Sequence, residues 1–160
     1  MVNFNYDLCF DSALSFTNPE CTFIILSRLD GKLEMPDEER MVGDVNLFIN
    51  DVDDRQNAEI DVMVPEISNR RKGYAREAIA LMINFGVETL GLNRFFAKIN
   101  GENAASLRLF KSLGFEEAKF VEVFNEFELR ISIESEAGSS LLALAAHGTL
   151  KAYTEEEVEE

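Results

Sequence analysis

The sequence predicts an α/β fold of the α+β kind, a mixed and mostly antiparallel sheet with one parallel pair and flanking helices. Three observations carry that prediction. Segments of strand period recur along most of the chain. A single long helix-like run, Gly73 to Leu90, joins two of them, which makes those two strands parallel neighbours. And 160 residues with 46% apolar content suffice for one hydrophobic core but not for two.

Taken in order, Met1 to Glu20 carries no motif, although Phe4, Tyr6, Leu8 and Phe10 alternate well enough for one strand. Thr22 to Leu26 is a nearly continuous apolar run, suited to a strand covered on both faces. Asp30-Gly31 and the acidic stretch to Arg40 read as a loop. From Val42 to Asn50, Val45, Leu47 and Ile49 alternate against Asp44, Asn46 and Phe48, the mark of a strand with one apolar face. The Asp-rich Asn50 to Asn57 then makes a hairpin connection to a strand at Ala58 to Val64.

Helical spacing follows, because Ala75, Ala78, Ile79, Met82, Ile83 and Phe85 recur at three- and four-residue steps, and Gly91 stops the run. Arg94 to Ile99 supplies the parallel partner of the Ala58 strand. A second helix runs from Asn103, a good N-cap, to Leu113, with Gly114 beyond its end. Phe115 to Ile133 is the last sheet material, and Phe127, Leu129, Ile131 and Ile133 alternate there with Glu126, Glu128, Arg130 and Ser132. Leu141 to Ala146 has the composition of a short helix. The expected organisation is an atypical N-terminal segment (1–20), one domain (21–135) and a weakly structured acidic tail (136–160) ending in Glu155, Glu156, Glu157, Glu159 and Glu160.

Charge and cysteine usage bound the function. With 30 acidic against 15 basic residues the net charge is −15, which argues against nucleic acid or an anionic membrane as partner and favours a cationic one. Cys9 and Cys21 are the only cysteines and the first basic residue is Arg28, so neither a disulfide framework nor the charged start of a signal peptide is expected, and a cytoplasmic location follows. His147 is the sole histidine, and no zinc or other metal site is expected.

Against that acidic background, Arg70-Arg71-Lys72-Gly73-Tyr74-Ala75 places three cations and a glycine where a strand gives way to a helix. A helix start offers unpaired N–H groups and the positive end of the macrodipole, so such a loop suits a phosphate. A solvated basic turn is the competing reading. The loop is neither the Gly-x-Gly-x-x-Gly of a dinucleotide fold nor the Gly-x-x-x-x-Gly-Lys-Ser/Thr of a P-loop.

Two motifs in order decide between these readings. Arg70-x-x-Gly73-x-Ala75 resembles the Gln/Arg-x-x-Gly-x-Gly/Ala acetyl-CoA signature of the GNAT superfamily of N-acetyltransferases, and Asn103-x-x-Ser106-x-x-Leu109-Phe110-x-x-x-Gly114-Phe115 resembles its second conserved segment. The resemblance covers roughly Cys21 to Ser135. It implies the GNAT acyl-CoA N-acyltransferase fold, with the strand before the loop splayed from its parallel neighbour, and acetyl-CoA as cosubstrate. The pyrophosphate would then lie on the N–H groups of Arg71, Lys72, Gly73, Tyr74 and Ala75, with the side chains of Arg70 and Lys72 steering it. Met63 and Val64 would pair through main chain with the pantetheine arm and polarise the thioester carbonyl.

Within the superfamily, Met41-Val42-Gly43-Asp44-Val45-Asn46-Leu47-Phe48, followed by Ala97-Lys98-Ile99, is similar to the eukaryotic N-acetyltransferase 9 group, which implies a protein or peptide amine as acceptor, with tubulin a candidate. Glu59 is placed to deprotonate that amine, with Asp61 two residues on along the same face; recognition of a cationic substrate is the other role open to this pair. Asn103 and Ser106 suit the pantetheine amides, and Asn103 also suits a helix cap. Phe110 stands where relatives carry a Tyr that protonates the leaving thiolate; here water or Tyr74 takes that part, or the thiolate leaves unaided. The superfamily leads with further helices that Met1 to Glu20 is too short to supply, so a catalytically weak CoA-binding or interaction module of the same fold is the alternative expectation.

Overall fold

The computed structural model describes residues 7–8, 20–27, 35–51, 53–145 and 151–152. Its strands form one mixed sheet: β1 (Asp7–Leu8), β2 (Glu20–Leu26), β3 (Met41–Phe48), β4 (Asn57–Met63), β5 (Arg94–Asn100), β6 (Glu116–Val121), β7 (Glu126–Ser132) and β8 (Lys151–Ala152). Spatial order is β6-β7-β5-β4-β3-β2-β1-β8. Among the six longer strands, β4 and β5 are the parallel pair and every other contact is antiparallel, as the intervening helix requires.

That helix, α2 (Tyr74–Leu90), is the centre of the core. Its Ala78, Ile79, Met82, Ile83 and Phe85 are buried against sheet residues one strand period apart, namely Val45, Leu47, Ala58, Ile60, Phe95 and Ala97. Gly91, left-handed at φ 69°, ends it. A shorter helix, α3 (Ala104–Ser112), follows β5, with Asn103 as its cap: the Asn103 side chain accepts from the Ser106 N–H at 3.1 Å.

Two stretches differ from expectation. The acidic loop before β3 contains one helical turn, α1 (Asp37–Arg40), because its last residue is pulled inward. Arg40 is buried, its Nε donates to the Ser27 carbonyl, and the Ser27 N–H donates to the Arg40 carbonyl at 2.8 Å. The second correction concerns the start of the acidic tail: Glu136–Ala145 form a helix, α4, rather than a weakly structured stretch. Gly138, Leu141 and Ala145 are buried, and Ser135 caps the helix by accepting from the Gly138 N–H at 3.0 Å. The rest of the N-terminal alternation around Asp7–Leu8, Cys9, Asp30-Gly31, His147 and the terminal glutamates lie outside the described residues.

Candidate functional site

The site starts from a broken pairing. β4 stays hydrogen-bonded to β3 as far as Met63, opposite Asp44, but pairs with β5 only from Asn57 to Glu59, opposite Arg94 to Phe96. Beyond Glu59 the parallel strands part, which is the splay the motifs imply. At that point the Asp61 carboxylate turns onto main chain and accepts from the Val62 N–H at 2.9 Å. Met63 is half exposed at the mouth of the opening.

From Met63 the chain passes Val64, Pro65 and a 3₁₀ turn (Ile67–Asn69) into the basic loop. Arg71 at φ 62° and Gly73 at φ 94° are both left-handed, two positive φ values in three residues. Such alternation turns successive N–H groups toward one side and makes an anion-binding concavity. Among the described residues, none accepts from the N–H of Lys72, Gly73 or Ala75, and no ion pair engages Arg71 or Lys72. A Cβ built on Gly73 meets nothing within 4 Å, so the loop face is clear. Main-chain donors, the positive end of a 17-residue helix and two unpaired cations converge there, and this fits a pyrophosphate.

Two members of the loop face elsewhere. Arg70 turns its guanidinium back, Nε donating to the Val64 carbonyl at 3.0 Å and Nη2 to the Pro65 carbonyl at 2.9 Å. The Tyr74 ring is buried and its hydroxyl is hydrogen-bonded to Ser27 Oγ. Phe110 is buried edge-on to Phe115, with ring centroids 5.0 Å apart. Asn103 and Ser106 are joined to each other at the start of α3.

Glu59 and Asp61 lie on the sheet face opposite α2, with Asp44 and Asn46 of β3, Lys98 of β5 and Glu126, Glu128 and Arg130 of β7. The Lys98 ammonium donates to Glu59 Oε2 at 2.7 Å and lies 5.4 Å from the centre of the Phe96 ring. Its pKa is raised, first by the hydrogen bond to Glu59. The sequence held the signal for this pair, since β5 runs parallel to β4 and Lys98 shares the face of Glu59, but the register was needed to see it. In the first turn of α2, burial pushes the Glu77 carboxyl up to about 7. A cavity of about 870 Å³ at the other end of β5, between Arg94, Ser132 and Glu136, is lined by Arg130 but by neither Glu59, Asp61, Lys98 nor any residue of the basic loop.

With this geometry in place, the comparisons with known proteins are specific. Residues 11–116 match the family described as acetyltransferase (GNAT) domain. The chain is 40% identical over 136 residues to human alpha/beta-tubulin-N-acetyltransferase 9, covering 84% of this chain and 66% of that one. It is 44% identical over 127 residues to the N-acetyltransferase 9-like protein of Nematostella vectensis, covering 76% and 63%. The chain spans 56% to 66% of the length of these two and of mouse alpha/beta-tubulin-N-acetyltransferase 9. Among solved structures, spermidine N-acetyltransferase from Vibrio cholerae in complex with CoA and spermine is similar in fold, with TM-score 0.57 at 21% identity over 71% of this chain and 65% of that one. No helix among the described residues is long and apolar enough to cross a membrane.

Proposed function

The chain belongs to the GNAT acetyltransferase family, and from that premise we propose that it transfers the acetyl group of acetyl-CoA to an amine of a protein substrate by direct attack. The observation that carries the reading is the coincidence, at one end of β4, of an opened parallel pair with a left-handed, cationic helix start at which the N–H groups of Lys72, Gly73 and Ala75 have no acceptor among the described residues. Arg71 to Ala75 hold the pyrophosphate through main chain, Arg71 and Lys72 add charge, and the pantetheine arm lies along Met63 and Val64.

The acceptor nitrogen then attacks the thioester carbonyl carbon, the C–N bond forms and the C–S bond breaks. Holding both reactants in place supplies much of the rate. An α-amino group, with pKa about 7.7–8.0, is partly neutral already, whereas a lysine near 10.4 needs a base. Glu59 receives the amine proton directly or through water, once the acceptor has displaced Lys98 from it. The thiolate leaves unaided or takes a proton from water, because Tyr74 and Phe110 are both turned into the core.

The face around Glu59 carries Asp44, Asp61, Glu126 and Glu128 against Lys98 and Arg130, which favours a cationic acceptor. Relatives from human, mouse and Drosophila melanogaster are named for α/β-tubulin, which supports a tubulin amine terminus or lysine as acceptor. Incubation with acetyl-CoA and a peptide library, with free thiol and acetylated product both quantified, tests the proposal. Product that matches thiol release and depends on an added amine is expected. CoA binding without transfer to any amine would leave only the cofactor half of the reading.

A further inference from the structure

The segment Met41 to Phe48 fixes the resemblance to one acetyltransferase group, yet none of its side chains belongs to the cofactor loop. Its Gly43 lies under the exit of β4. A Cβ built there would meet the Met63 carbonyl oxygen at 2.0 Å, its carbon at 3.0 Å and the Val64 Cα at 3.2 Å. Main chain rather than a movable side chain fills that space, so β4 leaves the sheet across β3 at a place only glycine allows. From the other side, the Arg70 guanidinium binds the carbonyls of Val64 and Pro65.

We propose that Gly43 and Arg70 are positioning residues which together set the Met63–Val64 main chain against the pantetheine arm, Arg70 acting through carbonyl groups and not through charge on the phosphates. The inference rests on the acetyl-CoA reading above and deepens it. An arginine spent on two main-chain acceptors is replaceable by another donor, whereas an arginine spent on phosphate charge is not. Gly43 acts earlier in the chain: it lets β4 bend away from β5 where pairing has ceased after Glu59.

Titration of the full chain with CoA and with its nucleotide fragment, 3′,5′-ADP, at several salt concentrations separates these roles. Arg70→Met is expected to weaken CoA binding about tenfold while leaving 3′,5′-ADP affinity and the salt slope of both ligands unchanged. Arg70→Gln should recover most of the CoA affinity. By contrast, Lys72→Gln should weaken both ligands and flatten the salt slope. Gly43→Ala should lower CoA affinity and kcat together, again sparing 3′,5′-ADP. If Arg70→Gln is as weak as Arg70→Met and both flatten the salt slope, Arg70 is an anion ligand and the inference is overturned.

Amide exchange of the ligand-free protein gives an independent reading of the clamp. Arg70→Met should speed exchange at Val62 to Val64 and Glu66, and Arg70→Gln should restore protection. No change in Arg70→Met overturns the clamp even if CoA binds as expected. Absence of CoA binding by the native chain overturns the acetyl-CoA reading instead, and exchange still judges the clamp.

Discussion

Glu59 is the base we propose, and its partner decides how that role is tested. Its carboxylate lies on the sheet face opposite α2 and is occupied by Lys98 at 2.7 Å. Glu59→Gln is expected to lower kcat by about a hundredfold with little change in acetyl-CoA affinity, measured by steady-state kinetics and by titration. A normal kcat with a raised acceptor KM would instead make Glu59 a recognition residue. Asp61 has a different part, since it already accepts from the Val62 N–H. Asp61→Asn, whose carbonyl still accepts, should therefore retain far more activity than Glu59→Gln in the same assay.

Among the elements, α3 depends most visibly on a single side chain. Asn103 accepts from the Ser106 N–H at the helix start, so Asn103→Ala is expected to cost about 1 kcal/mol in chemical denaturation. A loss within error of zero would mean that packing of Phe110 and Leu113 alone holds α3 in place. The alternating strands, the spacing of α2, the Asn103 cap and the splay were legible in the sequence because each is set by local pattern or by the two motifs. The α4 helix was only half legible, because its leucines crowd into Leu141 to Leu144 while its first half, Glu136 to Ser140, is small and polar. The direction of the Arg70 side chain was not legible for a physical reason: a cation beside a glycine loop looks like an anion ligand, and only the 3₁₀ turn from Ile67 to Asn69 brings the Val64 and Pro65 carbonyls within its reach. The pairing of Glu59 with Lys98, 39 residues apart, depended on the register of a parallel pair.

At the scale of the whole molecule, charge is partitioned. A net charge of −15 coexists with a local cationic loop, and the carboxylates of the sheet face opposite α2 suit the amine we propose as acceptor. The raised carboxyl of Glu77 adds a pH dependence to folding. A carboxyl whose pKa is higher folded than unfolded stabilises the fold below its unfolded pKa, near 4.5, and loses that contribution as pH rises through about 7. Glu77→Gln should accordingly gain stability relative to the native chain as pH rises from about 4.5 to about 7, the window those two values define, read as a diverging denaturation midpoint. Parallel pH profiles for the two proteins would contradict the assignment.

The central claim is that the left-handed loop at the start of α2 holds the CoA pyrophosphate. Titration of native and Gly73→Val proteins with CoA, with circular dichroism to confirm that both are folded, tests it most directly. Gly73 sits at φ 94°, where a β-branched residue is strained, and its side chain would project into the clear face where the phosphates belong. The account predicts native binding that weakens with salt and a loss of about tenfold or more, ~1.4 kcal/mol, in the variant. Equal affinity of a folded Gly73→Val protein would contradict it.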